Sequence, residues 1–180
     1  MQLSSFHRTR GFTLIEIVVS IFLVTLILGV ATMSFKSMQD EGKLKTEGIA
    51  LKLAARKLMR EAVEKNRSYA MTLAPSFFAV GPTYSEAALE GSMSGLDPEE
   101  AMKQIRGERH QLENDIQLWV KRWNEPMFRV PRVPFERWVF EPGGICEPLS
   151  LRLTRGDSSM SMTFNPLTAH VEEESLIVPK

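Results

Sequence analysis

Glu16 is the first residue of this chain that demands a chemical explanation, because apolar residues flank it on both sides. Phe12-Thr13-Leu14-Ile15 precedes it, and from Ile17 to Phe35 no side chain is charged. A carboxylate inside such a segment costs free energy and is normally held by a partner, unless it sits at headgroup level, where the cost is small. The other reactive side chains form no comparable constellation. His7, His110 and His170 are scattered, and the acidic run Glu172-Glu173-Glu174 beside His170 lacks the alternating oxygens and the glycine of a calcium loop. That run reads as a solvated tail. Ser158, Ser159 and Ser161 have no nucleophile-elbow sequence around them, and no glycine-rich phosphate loop is present. No enzymatic activity, metal or cofactor is expected. Cys146 is the single cysteine, so no intramolecular disulfide forms, and it reads as a small buried hydrophobe.

These residues need elements to position them. The 180 residues suffice for one ordinary domain with an accessory element. The 22 basic and 22 acidic side chains balance, which argues against a protein whose main business is coating nucleic acid. Residues 12–35 read as a transmembrane helix, long enough at about 1.5 Å per residue to cross roughly 30 Å of hydrocarbon. The leader ahead of it, residues 1–11, carries Arg8 and Arg10 and no acid, which favours a cytoplasmic N-terminus and a translocated C-terminal part. A secretory signal peptide fits poorly, since the apolar run is too long and no small-residue cleavage site follows. Residues 36–66 continue as an amphipathic helix, with Leu51, Ala54, Ala55, Leu58 and Ala62 on one stripe. Gly42 and Gly48 weaken it by about 1 kcal/mol each relative to Ala, which allows a bend or local melting. Continuous from Phe12 to Asn66, the helix is about 83 Å long.

Residues 67–180 read as β-rich. Ser76 to Val80 is a strand ended by Gly81-Pro82, and Ile116, Leu118 and Val120 alternate with polar or aromatic neighbours. Trp138 and Phe140 precede the turn Pro142-Gly143-Gly144. Leu149, Leu151 and Leu153 form one alternating run, and Met160, Met162 and Phe164 another, joined by a hairpin loop at Arg155-Gly156-Asp157. Asp97-Pro98-Glu99-Glu100 reads as the start of a short helix that Gly107 ends. The expected fold is α+β: a long N-terminal helix, first transmembrane and then amphipathic, packed on a one-sided antiparallel sheet.

The run Gly11-Phe12-Thr13-Leu14-Ile15-Glu16, followed by Ile17-Val18-Val19, resembles the processing motif of type IV prepilins and pseudopilins over about 25 residues. The resemblance implies that Gly11 is the last leader residue and that a prepilin peptidase cuts after it. Phe12 then becomes the N-methylated N-terminus, and Glu16 pairs with the N-terminal amine of a neighbouring subunit during filament assembly. Leu58 to Val80, then Phe140-Glu141-Pro142-Gly143-Gly144 and Phe164-Asn165-Pro166-Leu167-Thr168 before Val171, resemble the H-type (GspH/FimT) minor pseudopilins. In that family the last turn commonly ends in glycine, where this chain has Ala169. The resemblance implies a minor pseudopilin of a type II secretion system, anchored in the inner membrane by one span with its C-terminal domain periplasmic. Its partners would be the prepilin peptidase, other pseudopilins or pilins in a mixed filament, and inner-membrane lipid. A minor type IV pilin serving pilus biogenesis or DNA uptake is the alternative within the family. A signal-anchored periplasmic protein that keeps its leader is the alternative outside it.

One further segment interleaves bases with aromatics, from Phe128 to Trp138. Such a pattern can bind single-stranded nucleic acid. It also fits prolines breaking an edge strand, aromatics packing inward and Arg heads reaching water, and that reading is preferred. Without Arg8 and Arg10 the chain keeps 20 basic against 22 acidic side chains, so nucleic acid is not an expected partner. Trp119 and Trp123 are the better candidates for contact with neighbouring subunits.

Overall fold

The computed structural model describes residues 13–83, 107–132 and 135–179, and for 30–37 the helical backbone alone. The expected helix start at Asp97-Pro98 and the leader 1–11 lie outside the described residues. The chain divides into two compact units, 1–38 and 39–180.

Helix α1 covers Leu14–Glu64. It begins where Thr13 can cap it: the Glu16 amide donates to the Thr13 hydroxyl at 3.3 Å and to its carbonyl at 3.1 Å, satisfying a donor that has no partner within the helix. It ends at Glu64, and two residues on Asn66 takes a left-handed φ of 47°. The Arg67 amide reaches back to the Ala62 carbonyl at 3.1 Å, closing the helix with the residue type that best tolerates this conformation after glycine.

Within the second unit, the expected stripe faces the core. Leu51, Ala55, Leu58 and Ala62 are buried and Ala54 packs beside them, joined by Leu44 and Met59. The helix runs through Gly42 and Gly48 without interruption, so neither melts it. Gly48 has a packing reason, because a Cβ there would lie 2.7 Å from the Met160 sulfur.

Among the described residues nine strands follow: β1 Tyr69–Ala74, β2 Phe77–Pro82, β3 Glu108–Gln111, β4 Gln117–Arg122, β5 Glu136–Glu141, β6 Ile145–Cys146, β7 Leu149–Arg155, β8 Ser158–Phe164 and β9 Val171–Ile177. They form two antiparallel sheets, ordered β3-β2-β1-β5-β6 and β4-β7-β8-β9. The α+β arrangement of a long helix followed by antiparallel strands is the expected one, with the strands divided between two sheets. The alternating residues do point inward: Leu118 and Val120, Leu149, Leu151 and Leu153, Met160, Met162 and Phe164 are all buried. Both sheets and the α1 stripe share one core. Trp138 joins the sheets, its ring centroid 4.6 Å from Phe140 and 4.9 Å from Phe164, while its indole N–H donates to the Glu147 carbonyl at 2.8 Å.

The β7–β8 loop is Gly156-Asp157, with Arg155 already paired to Ser158 in the ladder. Gly156 has a φ of +54°, the left-handed backbone that a two-residue hairpin requires. The acidic run is no tail: Glu172, Glu173 and Glu174 belong to β9, at the edge of the second sheet. Charges along an edge strand discourage another chain from pairing there. Ala169 is buried with a φ of 53°, its amide bonded to the Asn165 carbonyl at 2.9 Å. The turn therefore holds the left-handed geometry that glycine would enter without strain.

Candidate functional site

Of the residues expected to act, Glu16 lies in the first turn of α1, whereas Gly11 and Phe12 fall outside the described residues. From Leu14 to Gly29 every side chain is exposed, with large apolar residues ranging from 48% for Val19 to 81% for Leu14. No face of this segment is polar. Its hydroxyls are satisfied internally: Ser20 donates to the Glu16 carbonyl at 2.7 Å and Thr25 to the Phe22 carbonyl at 2.8 Å. That is how hydroxyls are accommodated where water is absent. Glu16 is the one ionisable side chain between Leu14 and Gly29, and among the described residues nothing pairs with its carboxylate. The described residues contain no helix long and apolar enough to cross a membrane. What remains is an exposed apolar helical segment with one acid in its first turn, whose carboxylate no described residue pairs.

A second constellation surrounds Glu136, which is only 4% exposed. Arg129 grips both its oxygens, Nη1 to Oε2 at 2.6 Å and Nη2 to Oε1 at 2.9 Å, and Arg122 Nε donates to Oε1 at 2.6 Å. Burial alone would raise the Glu136 pKa, but the hydrogen bonds from Arg129 and Arg122 outweigh it and hold the pKa at about 2. Arg122 also reaches Glu147 and donates to the Arg137 carbonyl at 3.0 Å. Glu125 accepts from the Arg122 amide at 3.0 Å and from Arg129 Nε at 2.7 Å. Val120 and Arg129 exchange backbone hydrogen bonds of 2.8 and 2.9 Å. The chain between them is thus folded back along the edge of β4 and stapled at its base. Arg129 does not reach for water, as the sequence pattern implied; it is spent on a buried acid. Phe128 lies against Arg152, whose guanidinium carbon is 3.9 Å from the ring centroid. Neither the Glu136 network nor this stacking was readable from the sequence, because partners 7 and 14 residues apart in irregular chain follow no period.

The tryptophan pair divides. Trp119 is half-buried and donates its indole N–H to the Thr154 hydroxyl at 2.9 Å, whereas Trp123 is 74% exposed. His110 Nε2 lies 2.7 Å from Glu47 Oε2, its ring stacked on Phe78 at 4.8 Å. Cys146 is buried, and burial pushes its thiol up to about 11. Among the described residues no three His, Cys, Asp or Glu side chains are grouped to hold a metal ion.

The family described as the prokaryotic N-terminal methylation motif matches residues 6–32. Gly11, Phe12 and Glu16 all fall within it. No curated protein matches the chain. Two solved structures of the minor pseudopilin EpsH, from the type II secretion system of Vibrio cholerae, are similar to it. One is 10% identical over 76% of this chain and 98% of its own, with a TM-score of 0.45. The other is 9% identical over 77% and 96%, with a TM-score of 0.49. The methylation motif at residues 6–32, heading a long helix that leads into antiparallel sheets, supports a type IV pilin-like chain.

Proposed function

We propose that this chain is a structural subunit, a minor pseudopilin of a type II secretion system, which acts by assembly and not by catalysis. The observation that carries the reading is Glu16: a lone carboxylate, inside a methylation motif, on an apolar helical segment that offers it no partner. The leader is removed after Gly11 by a prepilin peptidase, and Phe12 becomes the methylated N-terminus. The apolar segment holds the precursor in the inner membrane, and the folded unit from residue 39 onward is translocated to the periplasm. During assembly the helix leaves lipid for a bundle of like helices. Glu16 then loses solvation and gains the terminal amine of a neighbouring subunit, which sets the axial register. The resemblance of the Phe140–Gly144 and Phe164–Val171 stretches to H-type minor pseudopilins supports that assignment.

Glu16→Leu tests the role directly. The substitution keeps the helix and its apolarity, so the leader is still cut. The chain should then be lost from co-purified assemblies of its partner subunits while remaining in the membrane fraction. A Glu16→Leu chain that assembles as well as the parent contradicts the proposal.

A further inference from the structure

We infer that the loop between Arg122 and Arg129 is a preformed docking knob for a second protein, which receives Trp123 and Met127 in an apolar pocket with an acidic rim. Trp123 is 74% exposed and Met127 73% exposed. Two large apolar side chains on one short loop are costly to leave in water, and tryptophan and methionine are enriched where proteins meet. Exposed loops usually adapt, but this one is fixed. A buried ionic network around Glu136 clamps its base, together with the paired backbone hydrogen bonds between Val120 and Arg129. Glu136 is buried and the arginines that bind it are half-buried, an arrangement that gains little stability over an apolar core but supplies a defined geometry. A loop already held in shape loses less conformational freedom when it binds.

Charge sets the chemistry of the partner. Each carboxylate at the loop base already has a cation: Glu125 has Arg129, Glu136 has both arginines and Glu147 has Arg122. By contrast, Lys121 and Arg152 lie beside the Phe128 ring, and no described carboxylate pairs with either. The surface around the knob is therefore positive, and its complement is acidic. Protein is favoured over single-stranded nucleic acid because a strand needs successive open rings to stack on. Among the described rings beside the loop, Trp119 and Phe128 are half-buried, the second resting on Arg152, whereas Trp123 is exposed.

The test places the photocrosslinker benzoylphenylalanine at position 127 of the full chain in its producing cell. The expected result is one discrete protein adduct, mapped to a surface where apolar residues are flanked by Asp or Glu. Its yield should fall roughly tenfold or more in Trp123→Ala, as for a central aromatic anchor. Lys121→Glu should lower the yield as well, and exchanging the flanking acid for Lys should restore it. Three outcomes overturn the inference: no discrete adduct, adducts only to nucleic acid or lipid, or a protein adduct indifferent to both substitutions. An adduct formed by a chain that keeps its leader supports the inference equally, so its fate is separate from that of the processing motif.

Discussion

Gly48 on α1 and Met160 on β8 lie so close that a Cβ built on the glycine would sit 2.7 Å from the methionine sulfur and 2.8 Å from its methyl carbon. Met160 is 1% exposed, so its side chain has little room to retreat. Two effects compete in Gly48→Ala. Helix propensity gains about 1 kcal/mol, while forcing a methyl into a filled core costs about 1–3 kcal/mol. The expected outcome is a net loss of about 1 kcal/mol, since the overpacking term is the larger. In a Met160→Ala background the space is free, and Gly48→Ala should there become stabilising. Urea midpoints of the four chains in the cycle give the sign of the coupling.

Glu136 makes the folded unit sensitive to acid. Its folded pKa of about 2 lies below the ordinary 4.5, so the folded state holds the proton less tightly than the unfolded one. The stability it contributes is complete above about pH 4.5 and is lost as the pH falls through about 2. Glu136→Gln removes the charge and leaves Arg122 and Arg129 facing a neutral group, at a cost of about 3 kcal/mol at neutral pH. The parent and the variant should converge in stability as the pH drops through that window. Thermal unfolding recorded across pH 2–6 checks the convergence, and parallel curves contradict it.

Cys146 should be silent to thiol reagents while the chain is folded. Burial comes first among the causes that raise its pKa to about 11, so thiolate is scarce at pH 8 and access is blocked as well. Ellman's reagent should react only at the rate of unfolding, with one thiol appearing in denaturant. Fast reaction in native buffer would place the sulfur at the surface.

The sequence was legible where a period governs. Leu51, Ala55, Leu58 and Ala62 recur at helical spacing, and the leucines of β7 and methionines of β8 alternate, so their burial could be read from type and spacing alone. It was not legible where burial is two-sided or the strand is polar. Every residue of Tyr69–Ala74 is buried, so side chains on both faces of β1 are covered and the alternation is erased. Glu108–Gln111 is short and polar because it is an edge, and Glu172–Glu174 looked like a tail for the same reason. The division into two sheets is a matter of which strands pair, which the alternation along each strand does not encode. Gly48 was read as a weakness in the helix, since nothing local says that Met160 will arrive opposite it. At the N-terminus the reverse holds. There the expected chemistry rests on residue types in a fixed order, Gly11 and Phe12 ahead of Glu16, and the match at residues 6–32 falls on the same stretch.

The N-terminus of the protein recovered from membranes tests the central claim most directly. Intact mass and N-terminal sequencing should be compared between cells with and without a prepilin peptidase. The account predicts a chain beginning at methylated Phe12 when the peptidase is present, and one beginning at Met1 when it is absent. A chain beginning at Met1 in both would contradict the account and leave Glu16 as a bare charge on a plain anchor.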